Sequence, residues 1–159
     1  MATDTTGDRQ NTIRDRMLAF VDDAGRHIGQ YVGTGANARI YHTQAPDPAT
    51  YPYIVVRNSA GETDPEFANL FEEFDVEITV YHRPRGAAEK EAELIADLAE
   101  AAILTWHESS AALGLTYGQR RKHRETLRPD PDAEIRDLIE VELVVQCGSW
   151  PKKLTNALT

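Results

Sequence analysis

The chain has 159 residues, the size of one ordinary domain, and 41% hydrophobic with 27% charged residues excludes a mainly disordered or fibrous protein. Its 26 acidic and 17 basic side chains leave a net charge of −9, which argues against general nucleic-acid binding because counterion release needs a positive surface. One cysteine, Cys147, excludes an internal disulfide framework and a cysteine-rich zinc module. No apolar run approaches the roughly 18 residues of a membrane helix, and the opening segment Met1 to Thr6 has no signal-peptide core. The expectation is a soluble protein of a reducing compartment, or of a particle assembled in one.

Residues 1–10 are polar and expected to be flexible, residues 11–148 to form one domain, and residues 149–159 to be a tail. From a cap at Asn11 or Thr12, apolar residues recur at Ile13, Met17, Phe20, Val21, Ala24 and Ile28, the spacing of one helix face. Gly25 weakens its last turns, and Gly29 or Gly33 offers a stop. Ala38 to Thr43 and Tyr53 to Arg57 read as strands separated by a loop with Pro46 and Pro48. Ile54, Val55 and Val56 are all β-branched, as in a strand buried on both faces. Asp64, Pro65 and Glu66 signal a short helix start, and Glu62 to Glu77 holds seven carboxylates with no Lys or Arg.

Phe74, Val76, Ile78 and Val80 alternate with Asp75, Glu77, Thr79 and Tyr81, which predicts a half-buried strand ended by Pro84 and Gly86. Ala87 to His107 predicts the longest helix. Leu94, Ile95, Leu98, Ala101, Ala102, Thr105 and Trp106 form its apolar stripe; Glu89, Lys90, Glu93, Asp97 and Glu100 lie opposite. Leu104 falls on the charged side, where it is a candidate partner contact. A closing hairpin turns at Pro129-Asp130-Pro131-Asp132. Its first strand carries Arg120, Arg121, Lys122, Arg124 and Arg128 against Glu125; five cations and one acid give +4, leaving −13 on the rest. Its second strand places Ile139, Val141, Leu143, Val145 and Cys147 on one face. The order predicts an α+β fold, an antiparallel or mixed sheet of four to five strands with two main helices packed on one face.

Candidate chemistry is sparse. Gly33-Thr34-Gly35-Ala36-Asn37-Ala38 matches a dinucleotide-loop glycine pattern, but a helix precedes it and a strand follows, the reverse of what pyrophosphate binding needs. The five histidines show no ligand spacing, so a metal would need ligands converging from separate elements. No GxSxG elbow surrounds Ser109-Ser110, and Cys147 continues an apolar strand face. The reading is therefore a non-enzyme without catalytic residues, cofactor or metal.

The layout resembles the tail-terminator (tail-completion) proteins of long-tailed bacteriophages and related particles. The resemblance rests on the amphipathic segment Ile13 to Ile28, the strand Tyr51-Pro52-Tyr53-Ile54-Val55-Val56, and Phe74 to Tyr81 with His82-Arg83 following. The long acidic helix and the hairpin through Asp130 and Val141 complete it, over roughly residues 10–148. It implies a small structural subunit of the virion tail, assembled in the host cytoplasm, whose ring is usually hexameric. Such a ring caps the tail tube, stops its polymerisation and meets the head connector or stopper protein. Another head-tail joining subunit, or a small ligand- or nucleic-acid-binding domain, are the alternatives. Within a ring, charge complementarity predicts Arg120, Arg121, Lys122 and Arg124 of one subunit facing Glu62, Asp64, Glu66, Glu72 and Glu73 of the next. Phe67, Phe71 and Trp150 would supply apolar burial there.

Overall fold

The computed structural model describes residues 13–58, 72–106, 115–130 and 137–149. Along the chain come α1 (residues 13–19), α2 (Gly29–Val32), β1 (Ile40–His42), β2 (Tyr53–Asn58), β3 (Glu72–His82), α3 (Ala88–Leu104), β4 (Leu115–Leu127) and β5 (Ile139–Ser149). The strands form one mixed sheet in the order β1-β2-β3-β5-β4, in which only β1 and β2 run parallel. The class is α+β, as expected.

Strict alternation puts one set of side chains under the helices. Val76 faces Val145 across the β3–β5 ladder, Ile78 faces Leu143 and Val80 faces Val141, and all six are buried. β2 extends this floor with Ile54 and Val56, and Val55 on the other side is buried too, as the unbroken β-branched run predicts. Burying one such side chain contributes about 1.5–3 kcal/mol relative to leaving it in water. Above the floor, α3 buries Ala88, Ala92, Ala96, Ala99 and Ala102 beside Ile95, Leu98 and Ile103. The row of alanines, one side of the helix every third or fourth residue, lets the helix approach the sheet closely. Its buried stripe is thus wider than the predicted one, and Thr105 at its end is exposed. Leu104 packs against the core as a partly buried residue instead of standing on a charged face.

The first helix differs most from expectation. It stops after residue 19, where Asp22 folds the chain into a turn. The Asp22 carboxylate accepts hydrogen bonds from the backbone N–H of Ala24 (3.0 Å) and Arg26 (2.7 Å) and from the Arg26 guanidinium (2.8 Å). Gly25 adopts φ +76° there. Aspartate bonding its own following backbone competes with helix, and glycine permits the left-handed turn. The apolar register survives the break, because Ile13 and Met17 before it and Ile28 and Val32 after it all enter the core. Two short helices therefore stand where a second main helix was expected. Arg16 ties α1 to the end of α3, donating to the Ala102 carbonyl at 2.8 Å and to the Thr105 hydroxyl at 3.1 Å. That contact brings a cation to the negative end of a helix with no basic residue in its own last turn.

Candidate functional site

The basic strand β4 forms the sheet edge next to α3. Three register shifts interrupt its pairing with β5. At one of them Arg121 faces Val145 and His123 faces Val144, which makes Lys122 an extra residue. In an unbroken strand Arg121 and Arg124 would point to opposite faces. The bulge turns both toward α3.

There they meet the acidic side of the helix. Arg121 holds the buried Glu100 with two hydrogen bonds, Nε to Oε2 at 2.9 Å and Nη2 to Oε1 at 2.5 Å. Arg124 lies 2.6 Å from Asp97 and 3.7 Å from Glu100. Thr126 Oγ1 donates to Glu93 at 3.3 Å, and Arg128 is 2.5 Å from Glu89. The match follows from element geometry: every fourth helix residue advances about 6 Å and every second strand residue about 6.8 Å. Glu89, Glu93 and Asp97 thus keep pace with Arg128, Thr126 and Arg124, while the bulge brings Arg121 level with Glu100. Opposite the apolar stripe in the sequence, this side of α3 is the seam that joins helix to edge strand. The available signal was the fourfold spacing of helix carboxylates beside alternating cations in the next strand.

The remaining predicted contact residues are distributed as follows. Arg120 donates to Gln146 at 2.7 Å and Lys122 reaches Asp75 at 2.8 Å, both on the sheet face away from α3. Glu72 and Glu73 begin β3, in register with Ser149 and Gly148. Glu62, Asp64, Glu66, Phe67, Phe71 and Trp150 lie outside the described residues. Arg121, Lys122 and Arg124, from the group predicted to face a neighbouring subunit, thus meet carboxylates of their own chain.

The sheet face turned away from the described helices carries an aromatic group. Tyr53 stacks on Tyr81 with ring centres 4.9 Å apart, Tyr51 lies 5.3 Å away, and Tyr41 meets Tyr53 edge-on at 5.9 Å. Burial, with Tyr51, Tyr81 and Glu140 adding smaller effects, pushes the Tyr53 hydroxyl up to about 12. Arg83 sits 4.9 Å over the Tyr51 ring beside an open cleft of about 310 Å³ lined by Ala49, Thr50, His82 and Arg85. Within it His82 is paired with Glu91 of the first turn of α3. Farther along the same face His123, Glu125 and Glu142 bring ligand atoms within 4.8 Å of one another.

Two sequence expectations about chemistry meet their geometry here. Gly33, at φ +87°, ends α2, and Gly35–Asn37 is a turn of 3-10 helix leading into β1, so no long helix follows the glycine pattern. Cys147 is buried opposite Phe74 in the core ladder. Among the described residues, no helix is long and apolar enough to cross a membrane.

No family model matches the chain, and no curated protein matches it. A chain from a solved structure described as the virion of a native gene transfer agent particle does, with a TM-score of 0.65 at 18% identity. The two share a fold. The match covers 94% of this chain and 100% of that one, so it takes in the helix-covered sheet and its edge strand together.

Proposed function

We propose that the protein is a structural subunit of a phage-like virion, and within that class a ring-forming tail terminator. The observation that carries this reading is the fold shared, over the full length of the other chain, with a component of a gene transfer agent particle. Size and charge agree with it: one acidic domain offers a partner surface without the positive field that nucleic-acid binding needs. In this reading the subunit forms a ring, a hexamer in the resembling family, that caps the tail tube, ends its growth and meets the head connector. It acts by shape and complementary contacts and carries no catalytic step.

The proposed subunit contact joins the Arg120 and Lys122 side of β4 to the acidic stretch containing Glu62, Asp64, Glu66, Glu72 and Glu73. Phe67, Phe71 and Trp150 add apolar area. Exposed ion pairs contribute only about 0–1 kcal/mol each, so charge sets orientation and apolar burial supplies affinity. Arg121 and Arg124 are poor probes of this contact, since both hold α3 within the subunit.

Negative-stain imaging and light scattering of the purified protein, alone and with tail tubes, test the reading. Closed rings, or single rings at tube ends, are the expected result. A protein that stays monomeric in both conditions overturns the ring. Arg120→Glu should slow assembly while leaving the fold intact, and Glu72→Lys with Glu73→Lys should partly restore it.

A further inference from the structure

We propose that His123, Glu125 and Glu142 form a binding site for a divalent transition-metal ion such as Zn²⁺ on the sheet face turned away from α3. Their ligand atoms, one from each residue, all lie within 4.8 Å of one another, and the His123 Nε2 to Glu125 Oε2 distance is 3.6 Å. A tetrahedral ion bound at about 2.0–2.2 Å sets its donors roughly 3.3–3.6 Å apart, a separation His123 and Glu125 already show, and side-chain rotation closes the wider gap to Glu142. The donor set is one imidazole and two carboxylates, which suits Zn²⁺ or Mn²⁺ better than Ca²⁺, an ion that takes oxygen ligands alone.

Two features of the backbone bring the three groups together. Glu125 and Glu142 are register partners on adjacent antiparallel strands, an arrangement in which like charges directly opposite each other destabilise the pair. A divalent cation between them reverses the sign of that interaction. The bulge at Lys122 is the second feature: the shift between Arg121 and His123 leaves Arg121 facing α3 and turns His123 and Glu125 to the other face. The neighbouring cation, Lys122, is engaged with Asp75 at 2.8 Å. Half-exposed His123 and Glu125 leave the ion open to solvent, so water completes its coordination. The site is independent of the virion reading, since it requires one chain only.

Isothermal titration of Zn²⁺, and separately of Ca²⁺, into the full-length protein tests the site. Saturable binding of one Zn²⁺ per chain is expected, weakened at least tenfold by His123→Ala and by Glu142→Gln, with Ca²⁺ bound at least tenfold more weakly than Zn²⁺. Circular dichroism should show both variants folded, and His82→Gln, which removes an imidazole elsewhere, should bind as the unaltered protein does. Absence of saturable Zn²⁺ binding overturns the proposal. So does Zn²⁺ binding unchanged by either substitution, or Ca²⁺ binding as tight as Zn²⁺ binding and indifferent to His123.

Discussion

Under the helices, β3 presents Phe74, Val76, Ile78 and Val80, all buried, whereas its other side presents Asp75, Glu77, Thr79 and Tyr81, which are half-buried or exposed. The same strand therefore serves two environments, and β5 repeats the division with Val141, Leu143 and Val145 against Glu140, Glu142 and Gln146. Stability should reside on the covered face, where removal from water and close packing act together. The open face adds the stacked tyrosines and buried Val55, but most of it carries ion pairs and charged clusters, which confer little stability and much capacity for recognition.

Truncation at consecutive positions of β3 gives the widest expected contrast. Ile78→Ala opens a cavity beneath α3 and should cost about 2–5 kcal/mol in urea unfolding, while Thr79→Ala, one residue along, should stay within about 0.5 kcal/mol. Equal losses at the two positions would break the distinction between the faces. Next in size is the seam between α3 and β4. Glu100→Gln leaves the Arg121 guanidinium without its carboxylate beside a buried amide, and should cost about 1–3 kcal/mol. Hydrogen exchange of β4 amides should rise with it, because the edge strand loses its tie to the helix.

Two titrations separate the faces further. On the covered side, burial and then the nearby Arg14 charge hold His42 below its ordinary 6.5, and both its ring nitrogens are buried without a hydrogen-bond partner. The unfolded chain takes up that proton first, so the stability His42 contributes is present above pH 6.5 and falls as pH drops below it. His42→Phe should flatten urea midpoints between pH 7 and about pH 5. On the open face the sign reverses. With Tyr53 raised from 10.0 to about 12, stability is intact below pH 10 and declines as pH rises toward 12, and Tyr53→Phe should lessen the decline. The smallest effect belongs to Lys122→Ala, whose half-exposed pair with Asp75 should be worth at most about 1 kcal/mol and fade at high salt.

These contrasts also mark what the sequence reveals. Period-two alternation identifies the buried faces of β3 and β5 residue by residue, because a strand's pattern is written locally in every second position. Val55, buried although it lies on the other side, is legible from the β-branched run around it. The first helix is not, since Asp22 and Gly25 impose a turn inside a segment whose apolar spacing still matches a helix. For the candidate contacts the obstacle is different. Arg121 and Arg124 look equivalent to Arg120 in the sequence, and only the bulge at Lys122 and the position of β4 at the sheet edge assign them to Glu100 and Asp97. The convergence of His123 and Glu125 with Glu142 has the same origin: it depends on the register between two strands, which composition does not encode.

The strand order has a consequence for how the molecule is made. β4 and β5 are neighbours in sequence and can pair as a hairpin early, but the central ladder joins Glu72 to Ser149 and His82 to Ile139, with α3 and β4 synthesised in between. The middle of the sheet thus joins strands far apart in sequence, and refolding must close a long loop before the β3–β5 ladder forms. Refolding should accordingly fall in the slower range, of order milliseconds to seconds, when followed by tryptophan fluorescence, to which buried Trp106 contributes, after a urea jump. Val76→Ala should slow that phase more than Thr126→Ala, because the β3–β5 ladder, and not the hairpin, then limits the rate.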